Sequence, residues 1–487
     1  MITGILILFP LLTALLLLTV KNEQVKSIAF TATIIEFLIS LVAVFQFQYT
    51  ANTQFLIDVT WIASLGIHFK VGMDGISLLL VMLTTFLVPL IVLSSFRTNY
   101  ENPKAFYALL LLMQMALIGV FTSLDGFLFY VFWELALLPI YFICLRWGGK
   151  NREKITLKFF IYTLAGSLLM LLALIYLYLH TAGTHSFDIQ AIYAAGASLD
   201  LRAQEYVFWA IFIAFAVKMP VFPFHSWQPD TYTNAPTTGT MMLSGVMLKM
   251  GTYGLIRWLL PVVPQGVAAC SHLAIILAVI GIIYASCIAI VQKDFKRLIA
   301  YSSFAHVGLI AAGILAFNVQ GLQGGMVQMI SHGINVVGLF FIVDIIFLRT
   351  KTHEIKLLGG IRLAEPQFAA LFLIIMLGAV ALPLTNGFVG EFLLLNGLFQ
   401  YSSLIAAFAA TSVILGAVYM FRTYQRVMLG DRIALTETFE PLTFNEKAVL
   451  IPIVIMVIAI GIYPKPILDI AEPAVKLLVQ KYAISPI

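Results

Sequence analysis

The chain has 487 residues, of which 61% are hydrophobic and only 10% are charged, and its mean hydropathy is +1.00. An ordinary soluble domain is about 25% charged, so this composition excludes a soluble globular protein. Basic loops of a membrane protein collect on one face of the bilayer, and the net charge of +5 therefore does not indicate a nucleic-acid partner.

Apolar segments of about 18 or more residues recur along the whole chain, and each is long enough to cross a hydrocarbon core of about 30 Å as a helix. They predict an all-α polytopic membrane protein with about fourteen transmembrane helices. The first segment has no basic residue before it and no small-residue cleavage site, so we expect a retained helix. The predicted spans are residues 2–20, 27–48, 74–96, 105–123, 125–146, 157–180, 204–222, 236–260, 267–291, 297–317, 321–348, 366–386, 401–428 and 446–463.

The loops between the spans indicate an orientation. If the N-terminus lies outside, both termini are outside and 20 of the 28 basic residues lie in inside loops, as the positive-inside rule requires. Short hairpins or caps are expected in the longer outside loops, 49–73 and 181–203. The inside residues are Lys21, Lys26, Arg97, Lys104, Arg146, Lys150, Arg152, Lys154, Lys158, Lys293, Lys296, Arg297, Arg349, Lys351, Lys356, Arg362, Arg422, Arg426, Arg432 and Lys447.

Two predicted spans are broken by proline. Span 7 (204–222) stops at Pro220 and span 12 (366–386) stops at Pro383, because proline lacks the N–H that continues a helix. The sequence AVKMP at the first break resembles AVALP at the second. Since the two spans run in opposite directions, this pattern is typical of inverted repeats within one membrane domain, residues 1–487.

Five ionisable residues lie near the middle of predicted spans: Glu134, Lys218, Lys249, His306 and His332. A charged side chain at the bilayer centre costs about 2.5–3.5 kcal/mol, so intramembrane charges are usually functional. A partner carboxylate changes how readily a buried lysine holds its proton, which suits a proton carrier. Histidine is the side chain whose unperturbed pKa lies near neutral pH, so the two histidines fit a lateral relay. Packing is the alternative role for all five.

Other polar residues leave alternatives open. Glu391 follows the second break and is either a helix cap or part of a proton path, whereas His225 follows the first and is either a gating group or a satisfied polar group. We expect Asp344 to pair locally with Arg349. Glu36 has either a structural or a functional partner.

The cysteines and known nucleotide motifs predict no cofactor on this chain. Cys144, Cys270 and Cys287 lie in or beside apolar segments without CxxC spacing, so neither an iron–sulfur site nor a disulfide framework is expected. The sequence contains no P-loop, no dinucleotide-binding GxGxxG after a strand and no HExxH. We therefore expect neither a bound cofactor nor a metal.

The run PFHSWQPDTYTNAPTTGTMMLSGVMLKMGTYGLIR resembles the signature of the antiporter-like membrane subunits of respiratory complex I, a family shared with multi-subunit sodium/proton antiporters. The likeness extends over roughly residues 70–430. It implies two inverted five-helix repeats, about 105–260 and 267–428, with broken helices 7 and 12. Helices 1–3 and 14 would flank the repeats.

The resemblance also implies roles for single residues. Glu134 matches a glutamate that pairs with a lysine on helix 7, Lys218 matches that lysine, and Lys249 matches a second lysine on helix 8. Glu391 matches the charged residue on helix 12 that leads outward, and a glutamate there favours the M-type branch. Tyr232 replaces a histidine common in the family, so no relay role is carried to it.

The function implied by the resemblance is that of the M-type, proton-translocating membrane subunit of an NADH:quinone oxidoreductase. Partner subunits would hold the FMN, iron–sulfur clusters and quinone, and L-type and N-type antiporter-like subunits would flank this chain in the bilayer. We expect the cytoplasmic membrane of a bacterium, with an organellar inner membrane as the alternative. Two other functions remain open: a subunit of a multi-subunit Na⁺/H⁺ antiporter, and a structural subunit without transport.

Overall fold

The protein is described by a computed structural model over residues 1–483, and most of these residues are helical. The α-helices are α1 (Ile2–Thr19), α2 (Asn22–Gln46), α3 (Gly75–Ser94), α4 (Pro103–Thr122), α5 (Gly126–Leu135), α6 (Leu137–Trp147), α7 (Arg152–Leu179), α8 (Ile189–Ser198), α9 (Leu201–Lys218), α10 (Gln228–Asn234), α11 (Thr237–Met242), α12 (Lys249–Gly254), α13 (Pro264–Val291), α14 (Phe295–Leu315), α15 (Val319–Thr350), α16 (Ile361–Ala364), α17 (Pro366–Ala379), α18 (Asn386–Tyr401), α19 (Ser403–Met428), α20 (Phe444–Ile462) and α21 (Lys465–Tyr482). There are two strands, β1 (Gln54–Ile62) and β2 (Ile67–Met73). The segments Leu243–Met247 and Leu255–Leu259 are π-helical. Three 3₁₀ turns complete the described elements: Ala63–Leu65, Ser95–Arg97 and Ile355–Leu357.

Eleven helical segments of the described chain are long and apolar enough to cross a membrane. They coincide with eleven predicted spans and confirm a polytopic helical membrane protein. The other three predicted spans, 204–222, 236–260 and 366–386, are interrupted helices. The first is α9 followed by turns, the second is α11 and α12 with π-helical segments between and after them, and the third begins with α17, which has only 14 residues.

The two long loops for which the sequence predicts hairpins or caps have different structures. Residues 49–73 contain an antiparallel hairpin, in which Val59 of β1 pairs with Phe69 of β2. Residues 181–203 instead contain the short helix α8. The hairpin is one of the two forms predicted for this loop, since Thr, Val, Ile and aromatic side chains favour strands. All other described elements are helical.

Many helices begin at a side chain that accepts a backbone N–H. The first four N–H groups of a helix have no partner within the helix, and Asp, Asn, Ser and Thr supply one. Their positions in the sequence therefore determine where the polypeptide enters the bundle. The capping residues are Asp74, Asn102, Asp125, Asp188, Asp200, Asp294, Asn318, Ser402 and Thr443.

The first predicted break is confirmed. Helix α9 ends at Lys218, two residues before Pro220. After the break the N–H of Val221 donates to the carbonyl of Ala216 at 2.8 Å, a return of five residues rather than four. This wider turn leaves Lys218 at the end of a helix inside the bundle, where the partial negative charge of the helix C-terminus favours a cation.

The second break begins earlier than predicted. Helix α17 ends at Ala379, and Ala381 and Leu384 have left-handed φ angles of +57° and +71°. The N–H of Leu382 donates to the carbonyl of Leu377 at 3.1 Å, which is again a return of five residues. Both broken helices therefore end in the same kind of wide turn, although proline precedes the donor in one and follows it in the other.

The loops meet at two faces of the bundle. At the face that we call the basic face, Glu446 accepts hydrogen bonds from Arg97 and Arg349, each at 2.8 Å. At the opposite face, the hairpin face, Lys70 of β2 pairs with Asp188, the N-cap of α8. These contacts bring loops that are distant in sequence together at alternate ends of the helices.

Gly75, the first residue of α3, packs against the backbone of α21. A Cβ at this position would lie 1.8 Å from the carbonyl oxygen of Ile470. We expect Gly75→Ala to displace α21, because the backbone cannot move aside as a flexible side chain can. Faster proteolysis of the C-terminal helix in membranes would be the measurement.

Gly126→Ala is the matched control for this substitution. Gly126 is also the first residue of a helix after an aspartate cap, but a Cβ there would meet Leu174 at an ordinary 3.4 Å. Equal cleavage rates in the two variants would show that α21 tolerates the added methyl group.

Candidate functional site

Lys249 lies between the two π-helical segments and has no solvent exposure (0%). Its Nζ donates to the carbonyl of Ser244 at 2.8 Å and lies 2.9 Å from Nδ1 of His332 on α15. A lysine ammonium is only a donor, so Nδ1 of His332 must accept and the proton of the neutral ring lies on Nε2. That nitrogen faces Oγ of Ser303 on α14 at 3.0 Å. Lys249 therefore determines the tautomer of His332.

His306 and Glu391 form the next part of the site. Nδ1 of His306 on α14 lies 2.8 Å from Oε1 of Glu391 on α18, and both side chains are largely buried. The amide of Gln328 donates to the same carboxylate oxygen at 3.3 Å. The rings of His306 and His332 are 6.1 Å apart between centroids. Four predicted residues thus follow one another in space. We call this series, which consists of Lys249, His332, His306 and Glu391, the polar line.

A small cavity lies beside the two histidines of the polar line. Ser302, Ser303 and Gln328 line it together with both rings, and the space open to the centre of a water molecule is about 20 Å³. About 10–15 Å³ by this measure is enough for one water in a polar cavity. The cavity can therefore hold a water between His332 and His306, where the side chains themselves leave a gap.

Lys218 and Glu134 lie near each other without a direct hydrogen bond. Lys218 is 3% exposed, and neither its Nζ nor Oε1 of Glu134 has a hydrogen-bond partner among the described residues. The carboxylate of Glu134 is the charge that attracts the ammonium. Nζ also lies 5.4 Å from the ring centroid of Trp133, a cation–π distance. The predicted pair is thus electrostatic rather than a contact.

Close packing of α9 and α12 brings the helices of the two lysines together. A Cβ at Gly251 would lie 2.7 Å from Cβ of Met219, and one at Gly254 would lie 2.6 Å from the ring of Phe215. Small residues allow helix backbones in a membrane to approach closely. The polar contacts of Lys249 nevertheless lead toward His332 and not toward Lys218.

His225 lies apart from the polar line. Its ring stacks on Phe304, with centroids 4.5 Å apart, and on Phe222, with centroids 5.7 Å apart. Nδ1 is buried and has no hydrogen-bond partner in the described structure. The surroundings of His225 are therefore aromatic, and the structure does not join it to the other predicted site residues.

Two polar residues near the basic face differ from their expected positions. Asp344 does not pair with Arg349: it accepts a hydrogen bond from Thr237 at 2.6 Å, whereas Arg349 binds Glu446. Lys296, which the sequence places in an inside loop, is only 4% exposed and belongs to the first turn of α14. The nearby basic residues Lys293, which is exposed, and Arg297, which is partly exposed, concealed this burial.

Ser303 and Gln328 are site residues that the sequence did not single out. Each lies about one helical turn before a predicted histidine, three residues before His306 and four before His332. Residues at these spacings share a helix face, which is the signal that would have found them. Among residues 1–483, no group of three or more His, Cys, Asp or Glu side chains is arranged to hold a metal ion.

Comparison with known proteins identifies the family of the chain. The family described as NADH:quinone oxidoreductase/Mrp antiporter, TM, matches residues 123–416. NADH-quinone oxidoreductase subunit M of Rickettsia prowazekii is 41% identical over 490 residues, covering 99% of each chain. Subunit M of Rhodobacter capsulatus is 40% identical, covering 95% of this chain and 91% of that protein.

A solved structure shows the same fold. One chain of respiratory complex I from Thermus thermophilus with bound NADH superposes with a TM-score of 0.88 at 29% identity, covering 98% of this chain and 100% of that one. With its full-length similarity to subunit M proteins, the chain belongs to the NADH:quinone oxidoreductase/Mrp antiporter family of membrane proteins, in the subunit M branch.

Proposed function

We propose that the chain is the M-type proton-translocating membrane subunit of NADH:quinone oxidoreductase, respiratory complex I. The observation that carries this proposal is the polar line, in which a buried lysine, two histidines and a glutamate follow one another through the bundle. Titratable groups chained inside a membrane are typical of proton relays. The full-length relatives named above, both subunit M proteins, favour complex I over a separate antiporter.

In this proposal protons pass along the polar line in the order of its contacts. The ammonium of Lys249 gives a proton to Nδ1 of His332 across 2.9 Å, and His332 then releases the proton on Nε2 toward Ser303. The cavity beside the rings offers room for a water that passes it to His306. From Nδ1 of His306 the proton reaches Glu391 across 2.8 Å. Each transfer leaves its donor ready to be reprotonated.

Glu134 and Lys218 control this relay through the protonation of Lys218. The attraction of Glu134 favours the charged form of Lys218, and a change in their separation changes how readily the lysine releases its proton. Because Nζ of Lys218 and Oε1 of Glu134 have no hydrogen-bond partner among the described residues, a small movement of the broken helix α9 suffices to change that separation. His225, in the aromatic cluster after the break, is a gating residue in this proposal.

The remaining features of the proposal concern the assembly. About fourteen helices cross the bacterial cytoplasmic membrane, with both termini and the hairpin face outside. Residues 105–260 and 267–428 are the inverted five-helix repeats of one membrane domain. L-type and N-type subunits flank the chain, and FMN, iron–sulfur clusters and quinone belong to partner subunits. The chain itself carries no redox site, so it acts in the enzyme as a translocating subunit.

Lys218→Met and Glu134→Gln test the proposal. Both variants keep the side-chain volume but remove a charge, and we expect NADH-driven proton pumping to fall about tenfold or more, since a positioned proton-transfer group contributes at least this much. Pumping would be followed by a pH-sensitive dye in membrane vesicles, and assembly by native gel electrophoresis. Unchanged pumping in an assembled complex would refute the role of the pair.

The same measurements separate the two alternative functions. A sodium dependence of transport, or purification with small antiporter subunits rather than NADH-oxidising ones, would indicate a Na⁺/H⁺ antiporter. A purely structural subunit would lose assembly on substitution of the buried charges, while any complex that still formed would pump at the normal rate.

A further inference from the structure

An open groove lies between α7 and α9 where these two helices reach the hairpin face. Its volume is about 500 Å³. The apolar part of its wall consists of Leu172 and Ala173 on α7 and of Ala203, Val207 and Ala210 on α9. Three of these five side chains are alanines, so the two helix backbones leave space for a chain of methylene groups between them.

The groove has about the length of one leaflet of a bilayer. Its wall on α9 extends from Arg202 to Ala210, eight residues later, which corresponds to about 12 Å at 1.5 Å per residue. The hydrocarbon core of a bilayer is about 30 Å thick, so each leaflet contributes about 15 Å. An acyl chain that enters at the hairpin face therefore fills the groove within its own leaflet.

Two opposite charges lie at the mouth of the groove. Arg202 and Asp200 both line it and both are exposed. They do not neutralise each other, since no ion pair in the described part of the chain includes Arg202. Tyr176 and Tyr206 lie beside them, and tyrosine is enriched at the level of the lipid headgroups. The mouth thus has the polarity of the headgroup layer.

The other end of the same helix pair differs in its charges. A second groove, of about 300 Å³, begins one helical turn further on, at Leu169 of α7 and Ile213 of α9, and its lining residues include no charged side chain. Lys158, one turn before the lining residue Ile161, is already paired with Asp230 at 3.1 Å. The unpaired charges are therefore at the hairpin face, which determines the end at which a lipid headgroup would bind.

We propose that the groove at the hairpin face binds one zwitterionic phospholipid of the ethanolamine type. Its acyl chain lies between α7 and α9, its phosphate binds the guanidinium of Arg202, and its ammonium binds the carboxylate of Asp200. The arginine fork matches the oxygens of a phosphate, and an ammonium and a carboxylate form a charge-assisted hydrogen bond. An anionic phospholipid would bind Arg202 but would be repelled by Asp200.

A helix of a neighbouring subunit is the competing occupant. Helices in a membrane pack closely where small residues meet, but the side chains that project from α7 around the groove are large. Leu168, Leu172 and Ile175 are 46%, 64% and 40% exposed. Ala173 lies deeper, at 4% exposure, where an acyl chain fits more readily than a helix about 10 Å wide. The lining therefore favours a lipid.

Crosslinking by a lipid probe tests the site in the purified, intact complex in detergent. The probe is a phosphatidylethanolamine with a photoreactive group in one acyl chain, and mass spectrometry of peptides measures its attachment to α7 and α9. Ala210→Leu fills the groove and should lower the attachment about tenfold, because added methylenes displace what is packed there. Arg202→Gln should lower it about fivefold, the scale of one exposed ion pair. Unlabelled phosphatidylethanolamine should displace the probe at lower concentration than phosphatidylglycerol does.

Two matched control variants lie outside the groove. Ala410→Leu adds the same side chain at a partly exposed alanine of another apolar helix, α19. Lys481→Gln removes an exposed positive charge at the hairpin face, where the ring of Tyr482 lies 5.6 Å from that of Tyr193 on α8. Both controls should leave the attachment unchanged. Native gel electrophoresis gives the amount of assembled complex to which each measurement is normalised.

The outcomes separate the possible occupants. Attachment that falls in Ala210→Leu and Arg202→Gln but not in the controls, with stronger displacement by phosphatidylethanolamine, would establish the site. Equal displacement by the two lipids would overturn the proposal, since the charges would then not recognise the headgroup. Undiminished attachment in Ala210→Leu would show general labelling of the lipid-facing surface, and no attachment to α7 or α9 would show that a partner subunit covers the groove. Either result also overturns the proposal. Proton pumping does not enter the measurement, so failure here leaves the proposed function standing.

Discussion

Replacement of Lys249 by methionine is expected to lower NADH-driven proton pumping by about 100-fold, the lower end of what a positioned proton-transfer group contributes. Lys249 holds the centre of the site, since its Nζ binds the carbonyl of Ser244 and Nδ1 of His332. Methionine fills similar space without a donor. The proton that His332 would receive is then missing, and its Nδ1 is left without a partner in a buried position.

Lys249→Arg sharpens this experiment. Arginine keeps the charge and the donor for His332 but cannot give up its proton, so pumping should be lost as it is in Lys249→Met. If Lys249→Arg pumps normally, the lysine acts as a fixed charge and not as a carrier. Native gel electrophoresis identifies variants that fail to assemble, and Glu391→Gln then tests the other end of the polar line in the same assay.

Replacement of Glu446 by glutamine is expected to lower the free energy of unfolding more than any other substitution proposed for this protein. The carboxylate lies at the start of α20, is 2% exposed, and binds Arg349 and Arg97. Removal of one partner from a buried ion pair costs about 3–5 kcal/mol, because the remaining charge stays buried without compensation. Glutamine keeps an acceptor for the N–H of Thr443, so the helix cap is preserved.

The measurement for Glu446→Gln is the thermal unfolding of the detergent-solubilised complex, with Glu472→Gln as the control. Glu472 pairs with Lys476 at 2.6 Å, but both side chains are exposed, and such surface pairs contribute about 0–1 kcal/mol. We expect a clearly lower melting temperature for Glu446→Gln and almost no change for the control. Equal melting temperatures would contradict the prediction. They would mean that water hydrates Arg97 and Arg349 once the carboxylate is removed.

Several site residues were visible in the sequence for a thermodynamic reason. Lys218, Lys249 and Glu134 are charged residues within apolar segments. Placing a charge in a membrane has a high free-energy cost, so such residues are usually functional. Pro220 and Pro383 likewise mark breaks in helices from the sequence alone, because the missing N–H is a local property of the residue. The structure places Lys249 beside His332 and His306 beside Glu391, although their roles as proton carriers stay predictions.

Other features needed the neighbouring helices. The burial of Lys296, the lack of a hydrogen bond between Nζ of Lys218 and Oε1 of Glu134, and the pairing of Arg349 with Glu446 rather than Asp344 all depend on which helix faces which. Most of these helices are apolar on every side, so their sequences contain no amphipathic stripe that sets their rotation in the bundle. Close packing at residues such as Gly251 and Gly254 sets the rotation of each helix instead.

The sequence by itself determined the membrane class, the positions of the broken helices and the intramembrane charges, because each has a large local free-energy cost or a local backbone cause. The family signature determined the branch. Tertiary structure alone decided the polar line and the tautomer of His332. These depend on distances of about 3 Å between side chains on different helices, and the rotation of each helix is set by packing with its neighbours.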